Sequence, residues 1–230
     1  MTFDVRSASL LLEGEGPRHV LSWAVEQLPK LTFATGFGAE GCVIIDVIAR
    51  AKLPIDIFTL DTGVLFPETY ELWHRLEERY GITIRAVKPG APELADDGHW
   101  LRDSDGCCEA RKVKPLREAL AGFDAWITAI RRDQTAERAN AQVFEHDAKF
   151  GLVKINPLVG WSHDDVWGHL YAYDVPFNPL HLQGYPSIGC QPCTSAIVPG
   201  ENLRAGRWRG AAKKECGLHT SQPAQAKESA

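Results

Sequence analysis

Apolar positions recur along the chain in two rhythms. From 17 to 28 they fall at Val20, Leu21, Ala24, Val25 and Leu28, the spacing that gives a helix one apolar face, with Pro17 suited to its first turn and Pro29 to its end. Shorter, largely apolar runs read as strands: LTFA at 31–34 and IDIFTL at 55–60 as buried ones, with ITIRAV at 82–87, AWITAI at 125–130 and LVKI at 152–155 as the third, fourth and fifth. Between them the stretch 42–51, the segment PETYELWHRLEERY from Pro67, and WSHDDVWGHLYAYD read as helices, the last opened by Ser162 and Asp165 in the manner of a capping box. A further helix opens at Cys107-Cys108, carries Arg111, Lys112, Lys114 and Arg117, and is expected to break or kink near Pro115. Strands that alternate with helices predict a single α/β domain, Rossmann-like, with a mostly parallel sheet and helices on both faces. Such sheets bind ligands beyond the carboxyl ends of their strands.

Three loops fall at such ends. TGFGAEG (Thr35, Gly36, Gly38 and Gly41 among its residues) follows the first strand, DTG (Asp61, Thr62, Gly63) the second, and RRDQTAER the fourth. A glycine loop entering a helix presents unpaired N–H groups that favour a phosphate or sulfate, although an ordinary tight turn uses the same residues.

Charge and composition narrow the reading. A formal net charge of −5 argues against nonspecific nucleic-acid binding, which rests on a basic excess. No run approaches the ~18 apolar residues of a membrane span, and the first residues lack a basic start followed by an apolar stretch, so a cytoplasmic protein without a membrane partner is expected. In a reducing compartment six cysteines are ligands or reagents more readily than disulfides. Cys42, inside an apolar stretch, reads as core. Five cations (Arg204, Arg207, Arg209, Lys213, Lys214) stand without an acid between 202 and 214, either a solvated face or a receptor for a small polyanion.

Four cysteines carry the candidate metal chemistry: the adjacent pair Cys107-Cys108, and Cys190 with Cys193 in a CxxC. Neighbouring residues aim two sulfurs poorly at one small zinc ion, whereas the separate irons of a 4Fe-4S cluster suit them, so the spacing favours the cluster. Lys112, one helical turn beyond Cys108, is placed to offset a thiolate-bound cluster's negative charge. The sixth cysteine, Cys216, has Lys213 and Lys214 before it and His219 after it. Cations favour the thiolate, which makes Cys216 a nucleophile candidate beside the plainer reading of a spare surface cysteine. The expected organisation is 1–200 as the nucleotide-binding domain with the iron-sulfur site, 201–219 as a basic, mobile C-terminal segment bearing Cys216, and 220–230 as a polar, disordered tail.

Taken in order, FGAE, LDTG with LFPETYEL, CC with RKVKPL, AWIT with RRDQ, GCQPCT, RAGRW and KECGLH resemble the iron-sulfur branch of the adenylyl-sulfate and phosphoadenylyl-sulfate reductases over nearly the whole chain. The resemblance implies an adenine nucleotide alpha-hydrolase (PP-loop-like) fold and reduction of adenylyl sulfate to sulfite and AMP through an S-sulfocysteine on Cys216. It implies thioredoxin or a similar dithiol as donor, a 4Fe-4S cluster on Cys107, Cys108, Cys190 and Cys193, and a possible homo-oligomer. Substrate contacts carried over are Lys112, Arg138, Arg204, Arg207 and His219 for the anionic groups, with Phe37, Gly38, Glu40, Leu60, Thr62 and Gly63 for the adenosine. Gly36 and Gly41 depart from the family's SFGAED loop, and Arg209 stands where a second tryptophan is common. The 3'-phosphorylated substrate is the alternative, and an ATP-using thiolation enzyme or an iron-sulfur sensor the more distant ones.

Overall fold

All five predicted strands form, and they lie in one sheet. In the computed structural model, which describes residues 3–91, 98–211, 213 and 215–218, they are β1 (Leu31–Thr35), β2 (Asp56–Leu60), β3 (Arg85–Val87), β4 (Ala125–Ile127) and β6 (Leu152–Ile155), joined by β5 (Phe144–Asp147). The order is β3-β2-β1-β4-β6-β5, parallel except for β5, which pairs antiparallel with β6. Because side chains alternate across a strand, Ile57 and Ile127 enter one apolar cluster while their neighbours Phe58 and Trp126 enter another. The larger cluster is built with α1 (Val5–Leu11), α2 (Pro17–Gln27), α3 (Ala39–Arg50), α4 (Pro67–Tyr80) and, after β6, the helix His163–Ala172. The smaller one is closed by Leu116 and Leu120 from the helix Lys114–Leu120. Both faces are therefore covered, as the alternation of elements predicts.

Strand order reverses at β1, whose neighbours β2 and β4 lead away in opposite directions. The loops after β1 and β4 consequently diverge and leave a crevice at their carboxyl ends, the usual ligand position of an open parallel sheet. No helix among the described residues is long and apolar enough to cross a membrane.

The pattern reading fails in a few places. The cysteine-bearing helix is not broken at Pro115: α5 (His99–Arg102) and α6 (Ser104–Cys108) lead through a π-helical turn, Glu109–Val113, into α7 (Lys114–Leu120), with α8 being His163–Ala172. Pro115 lies in the first turn of α7, and the wider turn before it relieves the clash that a proline makes with the preceding carbonyls. β3 and β4 are shorter than their apolar runs, and α1 and β5 went unread. The segment 220–230 and His219 lie outside the described residues.

Candidate active site

The four ligand-type cysteines converge. Cys107 and Cys108 at the end of α6 and Cys190 and Cys193 of the CxxC line one narrow cavity with Val64, Trp100, Arg111, Lys112 and Pro192. The CxxC is held there by backbone pairing, with a bridge between Leu65 and Cys190 and a Gln191 amide that donates to the Val64 carbonyl at 2.8 Å. Thr62 stands 3.3 Å from the Cys190 sulfur, and the buried Arg111 donates to the Thr62 carbonyl at 2.7 Å. The DTG loop is thus a wall of the cysteine cavity. Asp61 stiffens it by accepting from the Gly63 amide (3.1 Å) and the Tyr70 hydroxyl (2.6 Å).

The electrostatics of this cavity are uneven. Burial, and then the Cys108 charge, push the Cys107 thiol up, and burial with the Cys190 charge lifts Cys193 to about 11. Burial also opposes ionisation of Cys190, but the charge of Lys112 and hydrogen bonds from Thr62 and Lys112 outweigh it and bring that thiol below its ordinary value. Burial disfavours the Lys112 cation, yet Cys190, Cys216 and Cys108 around it more than compensate, so its pKa is raised. Lys112 therefore faces both the cysteine cavity and Cys216. Among the described residues no group of three or more His, Cys, Asp or Glu side chains is placed to hold a single metal ion.

Beside it, at the switch in strand order, lies a cavity of about 460 Å³. Gly36 and Gly38 come from the loop after β1, Ala39 and Glu40 from the first turn of α3, and Arg131, Gln134 and Arg138 from the segment after β4. His181, Ser187, Arg204, Arg207, Trp208, Glu215 and Cys216 complete it. Several of its donor nitrogens are buried without a hydrogen-bond partner: Arg131 Nη1, Arg138 Nε, Arg207 Nε and Trp208 Nε1. A buried donor left without an acceptor costs roughly 1–3 kcal/mol, and one shared remedy is a ligand rich in acceptors. Burial lowers the pKa of Arg138 and Arg207, although neighbouring Glu215 and Cys216 respectively act the other way. Guanidinium groups stay charged under such pressure, so the cavity is an anion receptor. Phe37 and Trp208, neither of them glycine, adopt φ of 56° and 46° at its edge, the left-handed backbone that clusters at functional sites.

The tail is seated on this cavity rather than apart from it. Lys213 Nζ reaches the Ser104 carbonyl at 2.7 Å and Asp105 at 2.8 Å; Lys149 Nζ donates to the Gly217 carbonyl at 2.5 Å; Leu218 packs against the smaller apolar cluster. Between these anchors Cys216 faces the arginines.

Sequence expectation and geometry agree on most residues and separate on some. Gly38, Glu40, Arg138, Arg204, Arg207 and Cys216 share the large cavity, and Lys112 joins it to the four cysteines. Phe37 is 1% exposed and stacks on Trp73 in the core, so only its backbone belongs to the loop's function. Leu60, Thr62 and Gly63 are not among the lining residues of the large cavity; Thr62 serves the cysteine side. His181, Gln134, Trp208 and Glu215 escaped the sequence reading. Their signals were present but weak: a histidine in a Pro-rich connection, a tryptophan amid arginines, and an acid beside the cysteine.

Known proteins resemble the chain along its length. The phosphoadenosine phosphosulfate reductase domain family matches residues 30–196. A protein of Bacillus subtilis named adenosine 5'-phosphosulfate reductase 1 is 47% identical over 212 residues, covering 89% of this chain and 91% of that protein. The adenosine 5'-phosphosulfate reductase of Allochromatium vinosum is 46% identical over 222 residues, covering 92% and 87%. The crystal structure of phosphoadenylyl-sulfate reductase from Candida auris, a phosphate complex, superposes with a TM-score of 0.76 at 30% identity, covering 86% of this chain and 99% of that one.

Proposed function

The chain belongs to the phosphoadenosine phosphosulfate reductase domain family, and from that premise we infer that it reduces adenylyl sulfate to sulfite and AMP, with Cys216 as the nucleophile. The observation that carries the reading is the placement of Cys216 in an arginine-lined cavity at the sheet's switch point. The Cys216 thiolate attacks the sulfur of adenylyl sulfate; an S–S bond forms, the S–O bond to the phosphate breaks, and its electron pair leaves with AMP. Negative charge grows on the phosphate oxygen as it departs, and fixed cations in a water-poor site stabilise it. Arg138, Arg204 and Arg207 line that site, Lys112 faces Cys216 from the cysteine side, and His219 is assigned to the same charge. The product on the enzyme is an S-sulfocysteine. A thiolate of thioredoxin or a similar dithiol attacks the Cys216 sulfur, sulfite leaves, and the second thiol resolves the mixed disulfide, so both electrons come from the dithiol. A cytoplasmic setting, which keeps thiols reduced, suits that exchange.

The Gly38–Glu40 loop holds the adenosine, with the Phe37 backbone shaping it; Leu60, Thr62 and Gly63, which the resemblance also assigns to the adenosine, stand outside the lining of this cavity. Cys107, Cys108, Cys190 and Cys193 hold a 4Fe-4S cluster. Support comes from their shared cavity and from Lys112 and Arg111 beside them. When bound, the cluster ties the CxxC segment to the helical run and contributes a fixed charge near Lys112.

Sulfite release by anaerobically prepared protein, with thioredoxin and either adenylyl sulfate or its 3'-phosphorylated form, tests the reading. Turnover with adenylyl sulfate and none by Cys216→Ser is expected. Preference for the phosphorylated form would move the assignment to the activity named for the Candida auris protein, and full turnover by Cys216→Ser would remove the nucleophile.

A further inference from the structure

The acid next to the nucleophile occupies the receptor. Glu215 Oε1 lies 2.9 Å from Arg138 Nη2 and its Oε2 3.1 Å from Arg204 Nη2, so one carboxylate spans both guanidinium groups. Its side chain and that of Arg138 are 12% and 11% exposed, so the contact is largely shielded from water. A surface ion pair of this kind contributes little, but two charge-assisted bonds in a shielded cleft hold a segment firmly. The occupied pair is the one that faces the large cavity, and its donors are those that an incoming anion needs.

We propose that Glu215 stands in for an anionic group of the substrate at Arg138 and Arg204, and that substrate entry displaces it and so repositions Cys216. The proposal rests on the assignment of this cavity to adenylyl sulfate. Three features of the site support it. The carboxylate has the charge and the bidentate geometry of a sulfate or phosphate edge. It precedes the nucleophile directly in the chain, so displacing the carboxylate removes the contact that fixes the chain next to Cys216. The anchors on either side, Lys213 on Ser104 and Asp105 and Lys149 on Gly217, do not use the arginine pair, so they keep the tail at the cavity while the stretch between them loosens. An internal anion that competes with the ligand weakens apparent binding by the fraction of molecules in which it occupies the site. Glu215 is thus a positioning residue that makes exposure of the thiol depend on the arrival of an anion.

Calorimetric binding of inorganic sulfate and of AMP to the intact protein, compared with Glu215→Gln and Glu215→Asp, tests it. The glutamine variant keeps the shape but loses the charge, and should bind both probes about tenfold more tightly, with a lower KM for adenylyl sulfate. Glu215→Asp retains the competing charge and should stay near the wild type. Hydrogen exchange provides a second measurement: sulfate should speed exchange at 215–218 in the wild type and change it little in Glu215→Gln, where the segment is already released. Unchanged or weaker sulfate binding by Glu215→Gln, or exchange at 215–218 that sulfate slows in the wild type, overturns the proposal. Failure of the underlying assignment reads differently, as wild-type protein that releases no sulfite from adenylyl sulfate while sulfate binding still reports on the arginine pair.

Discussion

Two glycines show how closely the arginines of the site are fitted. A Cβ on Gly189 would stand 2.2 Å from Arg207 Nη2 and 2.6 Å from its Cζ, whereas one on Gly206 would stand 2.0 Å from the Ser195 carbonyl oxygen. The first obstacle is a side chain and the second is backbone, and this difference predicts different phenotypes. Gly189→Ala should fold, because Arg207 can move, but the guanidinium would leave Ser187 and the Ile188 carbonyl and lose its place in the cavity. Removing one positioned charge of this type costs about 10²-fold in turnover. Gly206→Ala must separate the chain at the Ser195 amide to Gly206 carbonyl bond (2.9 Å) and should cost about 1–3 kcal/mol of stability, as other overpacked sites do. Sulfite kinetics and thermal melts on the two variants check both halves. The sequence showed the five basic residues between 202 and 214 as one patch, and only their partners sort them. Arg204 and Arg207 line the cavity, Arg209 is spent on Glu201 at 2.8 Å, Lys213 anchors the tail, and Lys214 lies outside the described residues. Charge along a chain marks a receptor, but its members are chosen by which acids fold back on them. At Gly41, where the family's acid is missing, a Cβ would meet Thr35 Oγ1 at 2.9 Å. That hydroxyl accepts from the Phe37 amide at 3.1 Å, so threonine and glycine here form a matched pair.

Among the elements, the helical run from 104 to 120 unites the two cavities. Its π turn, Glu109–Val113, carries Arg111 and Lys112 in sequence, and both are turned inward: Arg111 to the Thr62 carbonyl, Lys112 to Cys190 and Cys216. Such π turns recur at functional sites. Lys112→Ala should therefore lower turnover by about 10²-fold while the iron content, measured on the same sample, stays near wild type. Parallel loss of iron and activity would instead make Lys112 a support of the cysteine cavity. Strands buried on both faces were legible because a continuous apolar run has few other uses. β5 was not, since FEHD sits at the sheet edge with three of its four side chains polar, and only its pairing with β6 defines it. The π turn has no composition of its own and left no trace in the pattern.

At the scale of the whole molecule, the reaction imposes opposite demands on the tail. Attack on adenylyl sulfate needs Cys216 inside the arginine cavity, and the second half of the reaction needs the S-sulfocysteine where another protein's thiol can reach it. The seating of the tail fits an equilibrium between the two. Its described contacts include two lysines on backbone carbonyls, an ion pair with an 85% exposed Asp105, Lys213 over the Trp208 ring, the Glu215 contacts and one half-buried leucine. Full burial of a leucine contributes about 1.5–3 kcal/mol, so partial burial of Leu218 contributes roughly 1 kcal/mol, about a fivefold change in a local opening equilibrium. Opening of this kind leaves the sheet and its two apolar clusters intact, as local unfolding does. Leu218→Ala should then speed hydrogen exchange at 215–218 about fivefold and leave the main thermal transition unchanged. Kinetically it should slow formation of the S-sulfocysteine in single-turnover experiments with adenylyl sulfate, since the docked state is rarer, and speed release of sulfite when the dithiol is limiting, since the exposed state is commoner. The two rates moving in opposite directions is the signature of a docking equilibrium. Slowing of both would mean instead that Leu218 shapes the cavity itself, and that the reductant meets Cys216 in its seat.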